Sequence, residues 1–400
     1  MDGLSHIRSA GGHTATTAAH ATLARELGAR DAPLTMQALA LVTLGGFSPD
    51  WHQFGKGPLH DSREELLVGP QTGAALSLFL PTGRPVLSPP CALGGTLFVP
   101  SANSNLTAVD ASGALKWVFR GRLGFFGAPV CAPSLGLVFA GDQEGCVYGI
   151  NATTGAAIWI SQCYQTVFSN PTLSNGVLFF GSDDHFVSAL DGATGAVLWR
   201  FPTNQVVHSS PAVFNGTVFV GCDDRYLYAI DAAAGTLRWR LSTNGAVVSS
   251  PSIDPALGVL FVGGGDKIVR AVDASSGAVL WQFECGNFVD SSPAQAADGV
   301  VVGSYDGYVY KLDARTGALV WRSVNTGNYI SVSPLIDAAG NVYVSNWGGQ
   351  VLGFSAAGAL LFAKTLPGPP DNWLMAQAVL ADSGALLVGG ANGLYRIADA

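Results

Sequence analysis

Six tryptophans, Trp117, Trp159, Trp199, Trp239, Trp281 and Trp321, stand 42, 40, 40, 42 and 40 residues apart. Seven prolines keep the same step: Pro89, Pro129, Pro171, Pro211, Pro251, Pro293 and Pro334. Two independent markers with one shared period define a repeat. A period of this size restricts a chain to solenoids, propellers or arrays, in which each unit buries its apolar face only against its neighbours.

The text inside a unit chooses among them. One unit reads Pro211-Ala-Val-Phe, then Asn215-Gly216, then Thr-Val-Phe-Val-Gly221, then Asp223-Asp224. It continues with Tyr-Leu-Tyr-Ala-Ile-Asp231, a turn to Gly235, and Leu-Arg-Trp-Arg. These are four short β-rich runs separated by hairpin-type turns. Four strands per unit at this period predict propeller blades. Seven units run whole from Pro89 to Phe362, and residues 376–398 supply three more strands. The missing fourth is expected from Ala75–Leu80, with Leu78 in the eighth tryptophan position. The fold class is therefore all-β: an eight-bladed β-propeller of four-stranded antiparallel blades, its last blade closed by an N-terminal strand. Such closure removes the open edges that invite aggregation.

Composition agrees. Glycine numbers 51 of 400 residues and only 12% of residues are charged, about half the usual share. The net charge of −8 argues against a nucleic-acid footprint. No apolar run reaches the ~18 residues that a spanning helix needs. The six cysteines (Cys91, Cys131, Cys146, Cys163, Cys222 and Cys285) show no C-x-x-C spacing, which disfavours a zinc or redox motif and reads as buried free thiols. Without a clear signal peptide the compartment stays open.

The segment Ala189, Asp191, Gly195, Trp199 resembles the tryptophan-docking motif, Ala-x-Asp-x-x-x-Gly-x-x-x-Trp, of the pyrroloquinoline-quinone (PQQ)-type propeller repeats, and it recurs across residues 108–321. Trp51-His-Gln-Phe54 and His60 are similar to the opening of many bacterial members. The family holds quinoprotein alcohol dehydrogenases, an outer-membrane assembly lipoprotein, extracellular parts of bacterial kinases and the tail of an acyl-activating protein. The resemblance assigns a structural role to Asp110, Trp117, Trp159, Asp191, Trp199, Asp231, Trp239, Asp273, Trp281, Asp313 and Trp321. A turn Asp accepts backbone N–H groups, and an indole fills the wedge between blades with its N–H on a carbonyl. In the dehydrogenases it implies a vicinal Cys-Cys disulfide, a calcium ion and a catalytic Asp. No Cys-Cys pair occurs here and the units carry no insertion for a lid. Neither PQQ nor calcium nor any other metal is expected, and no catalytic residue is assigned.

What is left is a face. The links before each Pro should share one side with the turns between second and third strands, which carry Glu144, Asp184, Asp224, Asp266 and Asp306. Three residues before the prolines stand Phe126, Phe168, His208, Val248, Asp290 and Ser331, a set that does not repeat. With Tyr329, Trp347 and Trp373 in the same loops, His208, Asp290, Phe126 and Phe168 make the candidate binding face.

Residues 1–50 are expected to be poorly structured or partly helical, and 51–400 to form the propeller. Gly11-Gly12-His13-Thr14 and the following residues faintly resemble half of a carrier domain. The expected function is a monomeric, non-catalytic scaffold for a protein or peptide partner. The alternatives are a PQQ-dependent dehydrogenase-like quinoprotein and the accessory C-terminal propeller of an acyl-activating (adenylate-forming) enzyme.

Overall fold

The computed structural model describes residues 57–60, 67–162, 165–368, 376–381 and 383–399. Trp51, Phe54 and the carrier-like stretch lie outside them. The described residues form 32 strands and no helix, arranged as eight four-stranded antiparallel sheets. Blades 1 to 7 comprise residues 91–120, 130–162, 172–202, 212–242, 252–284, 294–322 and 335–365, and blade 8 combines 379–398 with 75–81. Strands are lettered a to d in order from the axis outward. The a strands of neighbouring blades stand side by side, which sets the ring order.

The strand patterns follow from position. The second strand Thr217–Cys222 is buried along its whole length, and the third, Tyr226–Asp231, buries its four central residues. A strand sandwiched between two blades has both faces covered and reads as a continuous apolar run. The outermost strand Leu237–Ser242 is mostly exposed or half-buried. In blades 1 to 7 a β-bulge interrupts the c–d ladder one residue after the partner of the motif aromatic, as at Ala189/Leu190. That extra residue turns the indole toward the next blade.

Closure joins the two ends of the chain. Strand Ala75–Pro81 pairs antiparallel with Gly393–Ala398, from Ala75↔Ala398 to Pro81↔Gly393. The expected strand donor is thus the one observed, but the wedge residue is not. The bulge in this pair has moved to Leu78/Leu80, so Leu76 faces Ile397 at the motif position and packs against the core cluster that blades 7, 8 and 1 share. Leu78 is 45% exposed.

The cysteine expectation also needs correction. Cys91 and Cys131 form a disulfide between the a strands of blades 1 and 2, with Cα atoms 6.2 Å apart. Their separation of 40 residues is close to one repeat step, which puts them on adjacent inner strands one register position apart: Cys91 opposes Phe98, and Cys131 opposes Val138, the neighbour of Phe139. Cys146, Cys222 and Cys285 are buried free thiols.

Candidate functional site

The repeat motif is a joint between blades. The indole N–H of Trp117, Trp159, Trp199, Trp239, Trp281 and Trp321 donates to the carbonyl of Ala152, Gly192, Ala232, Ala274, Ala314 and Ala356, at 2.9–3.1 Å. Each acceptor follows the motif Asp, Asn or Ser of the next blade. The ring lies on that blade's motif glycine: a Cβ on Gly235 would stand 2.6 Å from Trp199, and its φ is +67°. Two requirements therefore converge on one glycine. Asp191 accepts from the backbone N–H and the hydroxyl of Thr194, both at 2.8 Å, and Asp231, Asp273 and Asp313 close the same turn. Hydrogen bonds to its carboxylate, those of Ser275 and Ser276 foremost, pull Asp273 down to about 2.

The links before the prolines and the b–c turns share one face, since the amides of Asp183, Asp223, Gly265, Tyr305 and Trp347 donate to link carbonyls of Thr166, Val206, Ala246, Phe288 and Tyr329. On this face the acidic set is largely consumed within its own blades. Asp184 pairs with Arg200, Asp266 with Arg270, and Asp224 and Asp306 accept the phenol hydroxyls of Tyr228 and Tyr310. Glu144 departs from the set and is exposed. In blade 2 the buried Asp142 takes the equivalent phenol, that of Tyr148, at 2.7 Å.

Nearer the axis the non-repeating residues come together in two groups. Phe126 and Phe168 have ring centroids 5.6 Å apart, and Phe168 meets the His208 imidazole edge-on at 5.4 Å. His208 lies between Asp183, 3.2 Å from Nε2, and Asp223, 3.4 Å from Nδ1. Burial opposes its charge, yet the hydrogen bonds and fields of the two carboxylates raise it to about 9. Asp290 is buried on the same face. The second group is Tyr305, Tyr329 and Trp347. Tyr305 stacks on Tyr329 at 5.1 Å, Trp347 closes on both at 5.6 Å, and the Trp347 N–H donates to Ser331 Oγ at 2.7 Å. Tyr329 is 47% exposed, whereas Phe126 and Asp290 are buried. The face is thus a supported aromatic surface with one prominent ring rather than a circle of free side chains. Trp373 lies outside the described residues.

Sequence reading passed over three components. Asp183, Asp223 and Tyr305 precede the turn Asp, and their signal was a departure from the repeat at that one position. The Ser-Pro links form a belt around the axis: the amides of Asn170, Ser210, Ser250 and Ser292 donate to the hydroxyls of Ser210, Ser250, Ser292 and Ser333 at 2.9–3.3 Å. The signal there was the thrice-repeated Ser-Ser-Pro. The segment 57–60 lies against the inner strands: Val213 N–H donates to Pro58 O at 2.7 Å and Ile253 N–H to Leu59 O at 2.9 Å. His60 Nε2 is 3.0 Å from Thr172 Oγ1, and burial drives His60 down to about 3.

A ring of eight such blades, jointed by indole on glycine and closed by its own termini, is a propeller of the PQQ-repeat class. The chain belongs to the family whose model is described as outer membrane protein assembly factor BamB, which matches residues 71–182, 102–208, 183–257 and 256–398. No curated protein matches. Among solved structures, BamB from Moraxella catarrhalis is similar at 17% identity and a TM-score of 0.68, over 81% of this chain and 97% of that one. A europium-containing methanol dehydrogenase is similar at 12% identity and 0.71, over 86% and 90%. The computationally designed Ika8 protein is similar at 15% and 0.70, over 81% and 99%. Identities this low carry the fold and no more. Among the described residues no helix is long and apolar enough to cross a membrane, and no group of three or more His, Cys, Asp or Glu is placed to hold a metal ion.

Proposed function

We propose that the chain is a non-catalytic scaffold that binds a protein or peptide through the link face. The observation that carries this reading is the Tyr305–Tyr329–Trp347 cluster, in which a 47% exposed phenol is held by stacking on a buried one. Rigid aromatic anchors in a polar rim dominate binding hot spots. Non-repeating residues on a rigid ring are where function sits; the opposite Asp-to-Gly turns are close copies of each other. Likeness to an outer membrane protein assembly factor favours a protein partner over a small substrate.

Quinone chemistry is left out of this reading. Phe126, Phe168 and the buried His208 pack on one another on this face, and the disulfide joins cysteines 40 residues apart on neighbouring blades, not two adjacent in sequence. The residues present therefore do not fit PQQ with calcium. Calorimetry with both added should show no tight binding.

Capture of a partner by the immobilised protein tests the reading. Replacing Tyr329 and Trp373 by Ala should weaken capture, and Tyr329→Ala, at an exposed side chain, should leave stability within about 1 kcal/mol. Capture unchanged by these two, together with His208→Ala and Asp290→Ala, but lost on changing the opposite turns would move the site to the other face.

A further inference from the structure

Three long side chains on the link face are held in the left-handed region. His185, Arg225 and Lys267 have φ of 66°, 71° and 71°. Each occupies the tip of a b–c turn, and the three tips belong to consecutive blades, 3, 4 and 5. The matching tips of blades 2, 6 and 7 are Gly145, Gly307 and Gly349, with φ of 84°, 83° and 77°, the residue type that adopts this conformation without penalty. Blade 1 has a small residue there, Ser104. A non-glycine residue in this region persists only where its surroundings over-determine the backbone. Here the surroundings do: the carbonyls of His185, Arg225 and Lys267 accept the amides of Thr203, Thr243 and Cys285 at 2.8, 2.9 and 2.9 Å. Glycine would accept the same hydrogen bonds without strain. The pinning explains how the conformation is kept and leaves unexplained why all three residues are basic.

The three side chains reach solvent. All three are exposed, and the acid preceding each tip is already engaged: Asp184 by Arg200, Asp224 by Tyr228 and the Asn204 amide, Asp266 by Arg270. Three basic tips thus stand in a row outside a satisfied acidic layer, on a chain of net charge −8.

We propose that blades 3 to 5 dock an extended acidic peptide segment across these tips, with His185, Arg225 and Lys267 each meeting one carboxylate. This deepens the link-face reading and rests on it. Charge complementarity selects the occupant. A narrow acidic chain can set one carboxylate against each basic tip along the row. A broad anionic bilayer or nucleic acid would also feel Asp183, Asp223 and the net negative charge, which act over a screening length of ~8–10 Å.

The probe is a fluorescein-labelled decaglutamate peptide, followed by anisotropy. Because glycine is the relaxed residue at these φ values, the triple variant His185→Gly, Arg225→Gly, Lys267→Gly should melt no lower than the parent. It should bind the peptide about tenfold more weakly, as three modest surface pairs would give. Parent binding should weaken with salt, and Arg315→Ala on the opposite face should change nothing. A parent that does not bind decaglutamate saturably, or a triple variant that binds as well as the parent, overturns the proposal. So does tighter binding, at the same tips, of phosphatidylglycerol vesicles or an oligodeoxynucleotide. Failure of the wider reading looks different: decaglutamate binding lost in the triple variant, with partner capture untouched by the Tyr329 and Trp373 changes, leaves the tips standing and removes the aromatic surface. The reverse pattern removes the tips alone.

Discussion

Asp399 and Gly73, 326 residues apart in the chain, form one turn. The Asp399 carboxylate accepts the backbone N–H groups of Gln71, Thr72 and Gly73 at 3.0, 2.7 and 3.2 Å, and the Thr72 hydroxyl at 2.7 Å. This is the turn that Asp191 makes with Thr194 and Gly195 inside blade 3, here assembled from both ends of the chain. Phe362 of blade 7 lies over Gly73 as each tryptophan lies over the glycine of the following blade. Burial works against the charge of Asp399, but these donors hold its carboxyl below the usual range.

Asp399→Ala should therefore loosen the closing blade. Charge-assisted hydrogen bonds at an exposed turn are worth about 1–2 kcal/mol after solvent screening, to be read as a lower urea midpoint. Removal of residues 1–85 takes away the whole closing strand and should give aggregation, whereas removal of 1–48 should leave the transition unchanged. A stable monomer after the longer deletion would contradict closure by residues 75–81.

Two glycines separate strain from steric conflict. Gly216 has φ +66° and Arg238 as its nearest neighbour at 3.8 Å, while Gly235 has φ +67° with Trp199 at 2.6 Å. Gly216→Ala should cost about 1–2 kcal/mol, the penalty of the backbone region alone. Gly235→Ala must also displace the indole and should cost at least ~1 kcal/mol more. Equal losses in thermal denaturation would show that the indole contact is soft.

Stability should fall on both sides of about pH 6.5. His208 is raised to about 9 in the fold, so its contribution is complete below the ordinary histidine value of ~6.5 and is lost as pH rises through 9. His60 is lowered to about 3, so its contribution is present above ~6.5 and declines as pH falls. The lowered Asp273 and Asp399 add to the acid limb below ~4. Denaturant titrations at a series of pH values should show His208→Gln flattening the limb between 6.5 and 9 and leaving the acid limb in place.

Loss of the disulfide should be felt as a fall in stability without loss of the ring. Cross-linking residues 40 apart is worth about 4 kcal/mol on a chain-entropy model. Cys91→Ala with Cys131→Ala should lower the melting temperature while leaving the circular dichroism spectrum of the β-sheets intact. An unchanged transition would mean that neighbouring blades already restrict this loop when unfolded.

The ring was legible because its information is repeated. Trp199, Gly235 and Asp231 each announce themselves by position in a series, and the hairpin signals place four strands around them. The closing strand was legible from a shortage of one strand, but its register was not, because the bulge that selects Leu76 over Leu78 leaves no mark in the text. Cys91 and Cys131 carried a signal, a spacing close to one repeat step, that a search for C-x-x-C patterns does not see. The mouth was legible only in part. Phe126, Phe168 and His208 were visible as departures from the repeat, and their grouping followed from adjacency of blades. Asp183 and Asp223 looked like turn residues, since nothing in a linear sequence shows that two neighbouring blades aim them at one imidazole.

The segment Pro58–His60 lies along the inner strands of blades 3, 4 and 5. By donating to its carbonyls, Val213 and Ile253 tie it to the innermost strands of blades 4 and 5, and His60 reaches across to blade 3. One short piece of chain from ahead of the first blade thus bridges three consecutive inner strands. Blades 3, 4 and 5 cannot spread apart without first releasing it, which makes this side of the ring the last to open.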